Sequence, residues 1–302
     1  MGGHGLLPGV GPAPAVISAS RRTDLPAFHT PWLLQRLRDG RCEVRNPFNG
    51  TVRAVDLRPE AVLALVLWTR DPRPLLPHLD ELAERGHPLL FLVTLNDYPA
   101  HLEPRLAPVD DVVGALHELR ERLGPDAVVW RYDPVILADA MDPAWHLHHA
   151  SGLAGRLAGA TDQCIASWVD AYRKTERNLL PALDREGQAL WPEDEERDRG
   201  LARDLCAALG AHGIGLTLCC EPALVQDAVP AASCVDPARL SRLAGREVRL
   251  PRRPTRPWCG CHASIDIGAY DTCPRGCVYC YANASPEAGR RGAARLARPG
   301  GD

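Results

Sequence analysis

Residues 62–68 read VLALVLW and residues 88–95 read PLLFLVTL, two runs with almost nothing polar to offer water. A half-exposed strand alternates apolar and polar residues, so short unbroken runs of this kind belong to strands covered on both faces, as in a parallel sheet. Similar runs recur at 15–19 (AVISA), 126–132 (DAVVWRY), 163–169 (QCIASWV), 213–219 (GIGLTLC) and 264–269 (SIDIGA). Amphipathic segments lie between them. The clearest begins at Asp110 or Asp111, sets Val113, Leu116, Leu119 and Leu123 on one face and stops at Gly124, which is the grammar of a capped helix. Others are expected near 74–85, 143–158 and 197–211. This alternation predicts an α/β fold, a complete or partial (β/α) TIM-like barrel.

Working outward, EVRNPFNGTVRAVDL at 43–57 carries Asn49-Gly50 between alternating segments and predicts a hairpin excursion near 42–57. The barrel is expected to occupy residues 1–250. A cysteine-rich segment, 251–284, completes it, and the Gly, Ala and Arg tail 285–302 is expected to be disordered. A proline and arginine connector, 246–258, is expected to cross the barrel in an ordered way.

The 302 residues, 45% of them apolar, suffice for one large barrel or two modest domains. Net charge of −3 argues against a general nucleic-acid or membrane-surface binder. No stretch approaches the ~18 apolar residues of a membrane span. The N-terminal residues carry no basic side chain before Arg21, unlike a secretory signal, so a cytoplasmic location with reduced thiols is expected.

Five of the eleven cysteines fall within residues 259–280. Among them Cys273, Cys277 and Cys280 have the spacing C-x3-C-x2-C, which can ligate three irons of a 4Fe-4S cluster and leave the fourth open to a small molecule. S-adenosylmethionine is the expected guest. Zinc also accepts C-x-C and C-x2-C spacings. Tyr279 has no use beside zinc but could lie against an adenine. Cys219 or Cys220, with Cys234, Cys259 and Cys261, makes a second possible set, for a fully ligated 4Fe-4S cluster or a structural zinc. Cys42, Cys164 and Cys206 stand in apolar contexts and read as core, and His146, His148 and His149 read as surface residues of a helix.

In such barrels chemistry collects at the carboxyl ends of the strands. Those positions hold Ser20, Arg21, Arg22, Thr23 and Asp24 after the first run, Thr69, Arg70 and Asp71 after the second, and Thr94 and Asn96 after the third. Arg131, Tyr132 and Asp133 follow in the fourth, Ser167, Asp170, Tyr172, Arg173 and Lys174 in the fifth, and Cys219, Cys220 and Glu221 in the sixth. Each alone could be a cap or a surface ion pair; together they read as a charged, hydrogen-bonding mouth. Lys174 is the only lysine beside 34 arginines, which hints at a site needing a compact, titratable ammonium.

The motifs ISASRRTDLPAF, VRNPFNG, LWTRDP, WRYDP, DAYRKT, CCE and CGCHASIDIGAYDTCPRGCVYCYAN resemble a bacterial family called domain of unknown function eighteen forty-eight, from about residue 16 to 284. That family is similar to radical S-adenosylmethionine enzymes, in which the three-cysteine motif follows the first barrel strand. Here it follows the last, so the resemblance implies a circularly permuted chain. It implies Cys273, Cys277 and Cys280 as cluster ligands, Tyr279 as adenine contact, and the loop Ser20 to Asp24 in the place where those enzymes hold the methionine amino group. Their Gly-Gly-Glu segment is missing.

The expected activity is reductive cleavage of S-adenosylmethionine to a 5′-deoxyadenosyl radical that takes hydrogen from a substrate, fed by an electron donor such as flavodoxin or ferredoxin. Asp24, Arg131 and Lys174 are the candidate catalytic or substrate contacts, and Arg22, Thr23, Asp133, Ser167 and Asp170 join Tyr279 as candidate cofactor contacts. Two other classes stay open. One is a non-catalytic iron-sulfur electron carrier or sensor. The other is a zinc-stapled barrel hydrolase using Asp24, Asp133 and Glu221. Backbone tracking of nucleic acid by Arg246 to Arg256 is disfavoured against a solvated connector.

Overall fold

The computed structural model describes residues 14–170 and 173–296, with nothing stated of the Lys174 side chain. Nine strands form: β1 (Ala15–Ala19), β2 (Arg41–Arg45), β3 (Val52–Asp56), β4 (Val62–Thr69), β5 (Leu89–Thr94), β6 (Val128–Val135), β7 (Gln163–Trp168), β8 (Gly215–Leu218) and β9 (Ile265–Asp266). The helices are α1 (Leu25–Phe28), α2 (Thr30–Asp39), α3 (Leu79–Glu84), α4 (Val109–Leu123), α5 (Pro143–Leu157), α6 (Arg173–Asp184), α7 (Glu195–Gly210), α8 (Pro237–Ala244) and α9 (Pro286–Leu296). Seven strands make one parallel sheet in the order β8-β7-β6-β5-β4-β1-β9, and β2 and β3 make the separate antiparallel hairpin. The sheet is open among the described residues, with β8 and β9 as its edges, so the complete barrel allowed by the sequence does not close through strand pairing.

Every residue of β4 is buried, because both faces of the sheet are covered. One face sets Ile17, Leu65, Leu67, Phe91 and Trp130 against the helices that follow the strands. The opposite face sets Val16, Ala64, Val66, Leu92, Val129 and Ile165 against Val235, Leu240, Val248 and four cysteines, Cys219, Cys234, Cys259 and Cys261. Residues after β8 therefore cover this face of the sheet.

Helix α4 begins after Pro108, whose backbone is extended; Asp110 and Asp111 sit in its first turn and act on the helix dipole rather than as the cap. His146 is fully buried, not at the surface: its ring bridges the Tyr132 hydroxyl at 2.8 Å and the Ile136 carbonyl at 2.9 Å. Burial holds its pKa down at about 4, so it is neutral at physiological pH.

The tail corrects the sequence reading more sharply. Residues 286–296 are helical, and 297–302 lie outside the described residues. A side chain at Gly289 would overlap the carbonyl oxygen of Cys273, and one at Gly292 that of Asp271. The glycines, three apart on one face, let α9 lie directly on the backbone of the cysteine loop. Gly292→Val should undock α9, lowering stability by about 1–3 kcal/mol and exposing Arg290 and Arg291 to trypsin. The exposed control Ala294→Val should do neither in parallel urea and proteolysis series.

Candidate functional site

Parallel strands point their carboxyl ends to one side of the sheet, and there a cavity opens. Its wall takes Ser20 after β1, Thr69 and Arg70 at the end of β4, Thr94 from β5, Asp133 from β6, and Ser167 and Trp168 from β7. The same cavity is lined by Cys273, Cys277, Cys280, Tyr279 and Tyr281 of the late loop.

Two carboxylates hold that loop in place. Asp266 of β9 accepts from the Ser18 hydroxyl at 2.9 Å, the Ser20 hydroxyl at 2.8 Å and the backbone N–H groups of Arg21 and Gly268 at 2.8 and 3.0 Å. Gly268 is required beside it, since a Cβ would overlap the Ser20 side chain. Asp24 caps α1 through the Ala27 N–H at 3.1 Å and accepts from Thr69 Oγ1 at 2.6 Å, the Arg70 N–H at 3.0 Å and Arg275 at 3.2 Å. Arg275 lies between Cys273 and Cys277 and also donates to the Arg105 carbonyl at 3.0 Å. The carbonyl of Thr272 receives a 2.9 Å bond from His29 Nε2, whose ring burial keeps neutral, and Asn283 donates to the Cys273 carbonyl at 2.7 Å.

Burial pushes the Cys273 thiol up to about 12, with Asp24 and the other two thiols adding to the rise. Burial likewise raises Cys277 to about 11, against the lowering effect of Arg70. Cys273 and Cys277, desolvated and each facing the other thiols of the loop, resist losing their protons until a cation compensates the charge.

The predicted contacts divide. Asp24 receives four hydrogen bonds, two on each oxygen, which occupy its lone pairs and tie the cysteine loop to α1 and β4. Tyr279 lines the cavity and packs edge-on against Tyr98, while its hydroxyl sits in a buried network with Arg70, Glu103 and Asn96, and Arg70 pairs with Glu103 at 2.6 Å. Asp133 is bonded by Ser167 and paired with Arg131, whose guanidinium stacks on Trp68 at 4.9 Å. Arg22 lies over the Tyr270 ring at 5.3 Å, and Asp170 pairs with Arg256. Thr23 is buried on the cavity wall with a hydroxyl that has no hydrogen-bond partner. Lys174 falls in the first turn of α6; its side chain and Tyr172 lie outside the described residues. Glu221 accepts from the Trp168 N–H at 2.8 Å, and burial raises its pKa to about 7.

The sequence reading missed Asp266, Glu103 and Arg275. Asp266 carried a signal, a charge between Ile265 and Ile267 in an apolar run; the other two carried none.

The second cysteine set comes together as five, not four. Cys219 Sγ stands 3.7 Å from Cys220 Sγ and 3.9 Å from Cys234 Sγ, Cys220 reaches Cys259, Cys234 reaches Cys261, and Cys259 and Cys261 meet. Cys220 and Cys261 donate to Cys259 and hold its thiol far below the ordinary value, while Cys234 and Cys259 push Cys261 far above it.

The model of the family described as Domain of unknown function (DUF1848) matches residues 16–282. The chain belongs to this family. No curated protein matches it. The match in the DUF1848 chain covers β1 from Val16 onward, β9, both carboxylate anchors and all eight cysteines of the two groups.

Among the described residues, no three His, Cys, Asp or Glu side chains surround a point where a single metal ion would sit. A cubane does not ask for that, because it spreads its cysteines over separate irons. Three thiols on one cavity wall, with the buried unpartnered Thr23 hydroxyl beside them, fit such a cluster and a small polar ligand.

Asp266→Ala leaves two hydroxyls and two N–H groups without their acceptor. Urea melts should record a loss of roughly 3 kcal/mol, and limited proteolysis should release the segment after residue 263.

Proposed function

We propose that the chain is an iron-sulfur enzyme of the radical S-adenosylmethionine type, with a permuted partial (β/α) barrel and an unknown substrate. The observation that carries this reading is the shared cavity: Cys273, Cys277 and Cys280 face the carboxyl ends of the parallel strands, where barrel enzymes keep their chemistry. The order of the sheet supports the permutation. Strand β9, which leads into the cysteine loop, lies at the sheet edge beside β1, as the first strand of an unpermuted barrel would lie beside the second.

Cys273, Cys277 and Cys280 would hold a 4Fe-4S cluster with one iron left for S-adenosylmethionine, and the bound pair would supply a 5′-deoxyadenosyl radical for hydrogen abstraction. The chain's own residues then have definite tasks. Arg275 and Asp24 keep the loop from swinging outward. The Tyr279 ring, immobilised through Glu103 and Arg70, offers a flat wall for an adenine, and Thr23 offers a desolvated hydroxyl. Trp168, Tyr281 and the cavity walls exclude water, and an electron donor such as flavodoxin or ferredoxin would feed the cluster from outside. A hydrolase is disfavoured because Asp24 has no free lone pair and Asp133 is already engaged by Arg131 and Ser167.

Anaerobic reconstitution with iron and sulfide, reduction by dithionite and addition of S-adenosylmethionine should release 5′-deoxyadenosine and shift the electron paramagnetic resonance signal of the reduced cluster. Cys277→Ala should abolish both. A cluster whose signal ignores S-adenosylmethionine, with no 5′-deoxyadenosine formed, would make the protein an electron carrier or sensor instead.

A further inference from the structure

The five thiols line none of the cavity just assigned but a larger groove beside it, lined also by Arg131 and Arg253 and sharing Trp68, Asp133 and Tyr281 with that cavity. Its members come from three distant segments. Cys219 and Cys220 follow β8, one edge of the open sheet; Cys259 and Cys261 precede β9, the other edge; Cys234 lies in the loop between. No strand pairing joins those two edges among the described residues. The thiols therefore meet where the fold has a gap to bridge.

We propose that Cys219, Cys234, Cys259 and Cys261 bind one zinc ion, which staples the late connector to the β8 edge. Sulfurs at about 2.3 Å from a tetrahedral zinc stand about 3.8 Å from each other. Within this set the Cys219–Cys234 separation of 3.9 Å matches that edge, whereas thiolates on the separate irons of a cubane would not touch. The sulfurs form a ring of pairwise contacts, and binding draws four of them inward about one ion as the protons they carry leave to solvent.

The choice of four follows burial. Cys219, Cys234, Cys259 and Cys261 are buried, while Cys220 is half-exposed and its backbone takes φ +65° at the turn after β8. The turn Cys259-Gly260-Cys261 is built for close approach, because a Cβ at Gly260 would overlap the carbonyl oxygen of Ala232, two residues before Cys234. Thr255 Oγ1 at 3.5 Å and the Cys261 N–H at 3.4 Å both point to Cys259 Sγ, the outer hydrogen bonds that a thiolate ligand keeps when a metal binds.

The test uses the full chain with Cys273, Cys277 and Cys280 all replaced by alanine, so that iron held by the late loop contributes nothing. Purified from zinc-supplemented cells, it should carry about one zinc per chain, with X-ray absorption giving four sulfur neighbours near 2.3 Å. Cys234→Ser and Cys261→Ser in that background should each lower zinc occupancy at least tenfold, and Cys220→Ser should leave it unchanged. Should the triple variant fail to fold, the same zinc absorption spectrum on the wild-type chain gives the answer. Zinc-free protein, iron with acid-labile sulfide in the triple variant, thiols oxidised in pairs, or zinc lost in Cys220→Ser would each overturn the proposal. A wild-type chain that carries its zinc but forms no 5′-deoxyadenosine after reconstitution would sink the radical reading alone.

Discussion

The arrangement rests on the Asp266 carboxylate. Strand β9 pairs with β1 over only two residues, Ile17 with Ile265 and Ser18 with Asp266, which is too little ladder to fix a loop carrying three cysteines. The side chain makes up the deficit by gathering four donors from Ser18 of β1, from Ser20 and Arg21 of the turn after it, and from Gly268. A buried carboxylate is costly unless its lone pairs are satisfied, and full satisfaction makes its position nearly unique. Asp24 repeats the device from the other side, accepting from Arg275 within the cysteine loop while capping α1.

Close backbone approach is the second constraint. Gly268 lets the loop pass Ser20, Gly289 and Gly292 let α9 lie on the loop carbonyls, and Gly260 lets the connector pass Ala232. Together with the carboxylates, these contacts press the late segment against the first strand and first loop. Chain ends far apart in sequence thus share one cavity wall, and α9 covers the loop from behind. The functional reading draws on that closeness, since an open iron is useful only where a substrate can be held against it and water kept out.

Much of the fold was legible because burial on two faces writes itself into sequence as unbroken apolar runs: the runs at 15–19, 62–68 and 163–169 match β1, β4 and β7 nearly residue for residue. The hairpin was legible through Asn49-Gly50, between β2 and β3. The tail was not, because a helix that docks through glycine onto backbone carbonyls leaves no hydrophobic stripe to read. His146 was misjudged for a related reason: its partners, Tyr132 and Ile136, come from the neighbouring strand and loop, and no local pattern announces them.

The site was legible by kind more than by role. Cysteine spacing named Cys273, Cys277 and Cys280, and strand-end position named Ser20, Thr23, Asp133 and Ser167, all of which line the cavity. Asp24 also lines the cavity, and only the fold reveals how many donors already surround its carboxylate. The fifth thiol, Cys220, joined its set through a turn that spacing does not encode.

The central claim is that the late loop presents its three thiols together to the cavity as ligands of one cluster, and a chemical count on anaerobically reconstituted protein tests it most directly. With Cys219, Cys234, Cys259 and Cys261 all changed to serine, the chain should still take up about four iron and four acid-labile sulfide, and the further change Cys273→Ala should remove them. Iron and sulfide that vanish with the first set and ignore Cys273 would contradict the account.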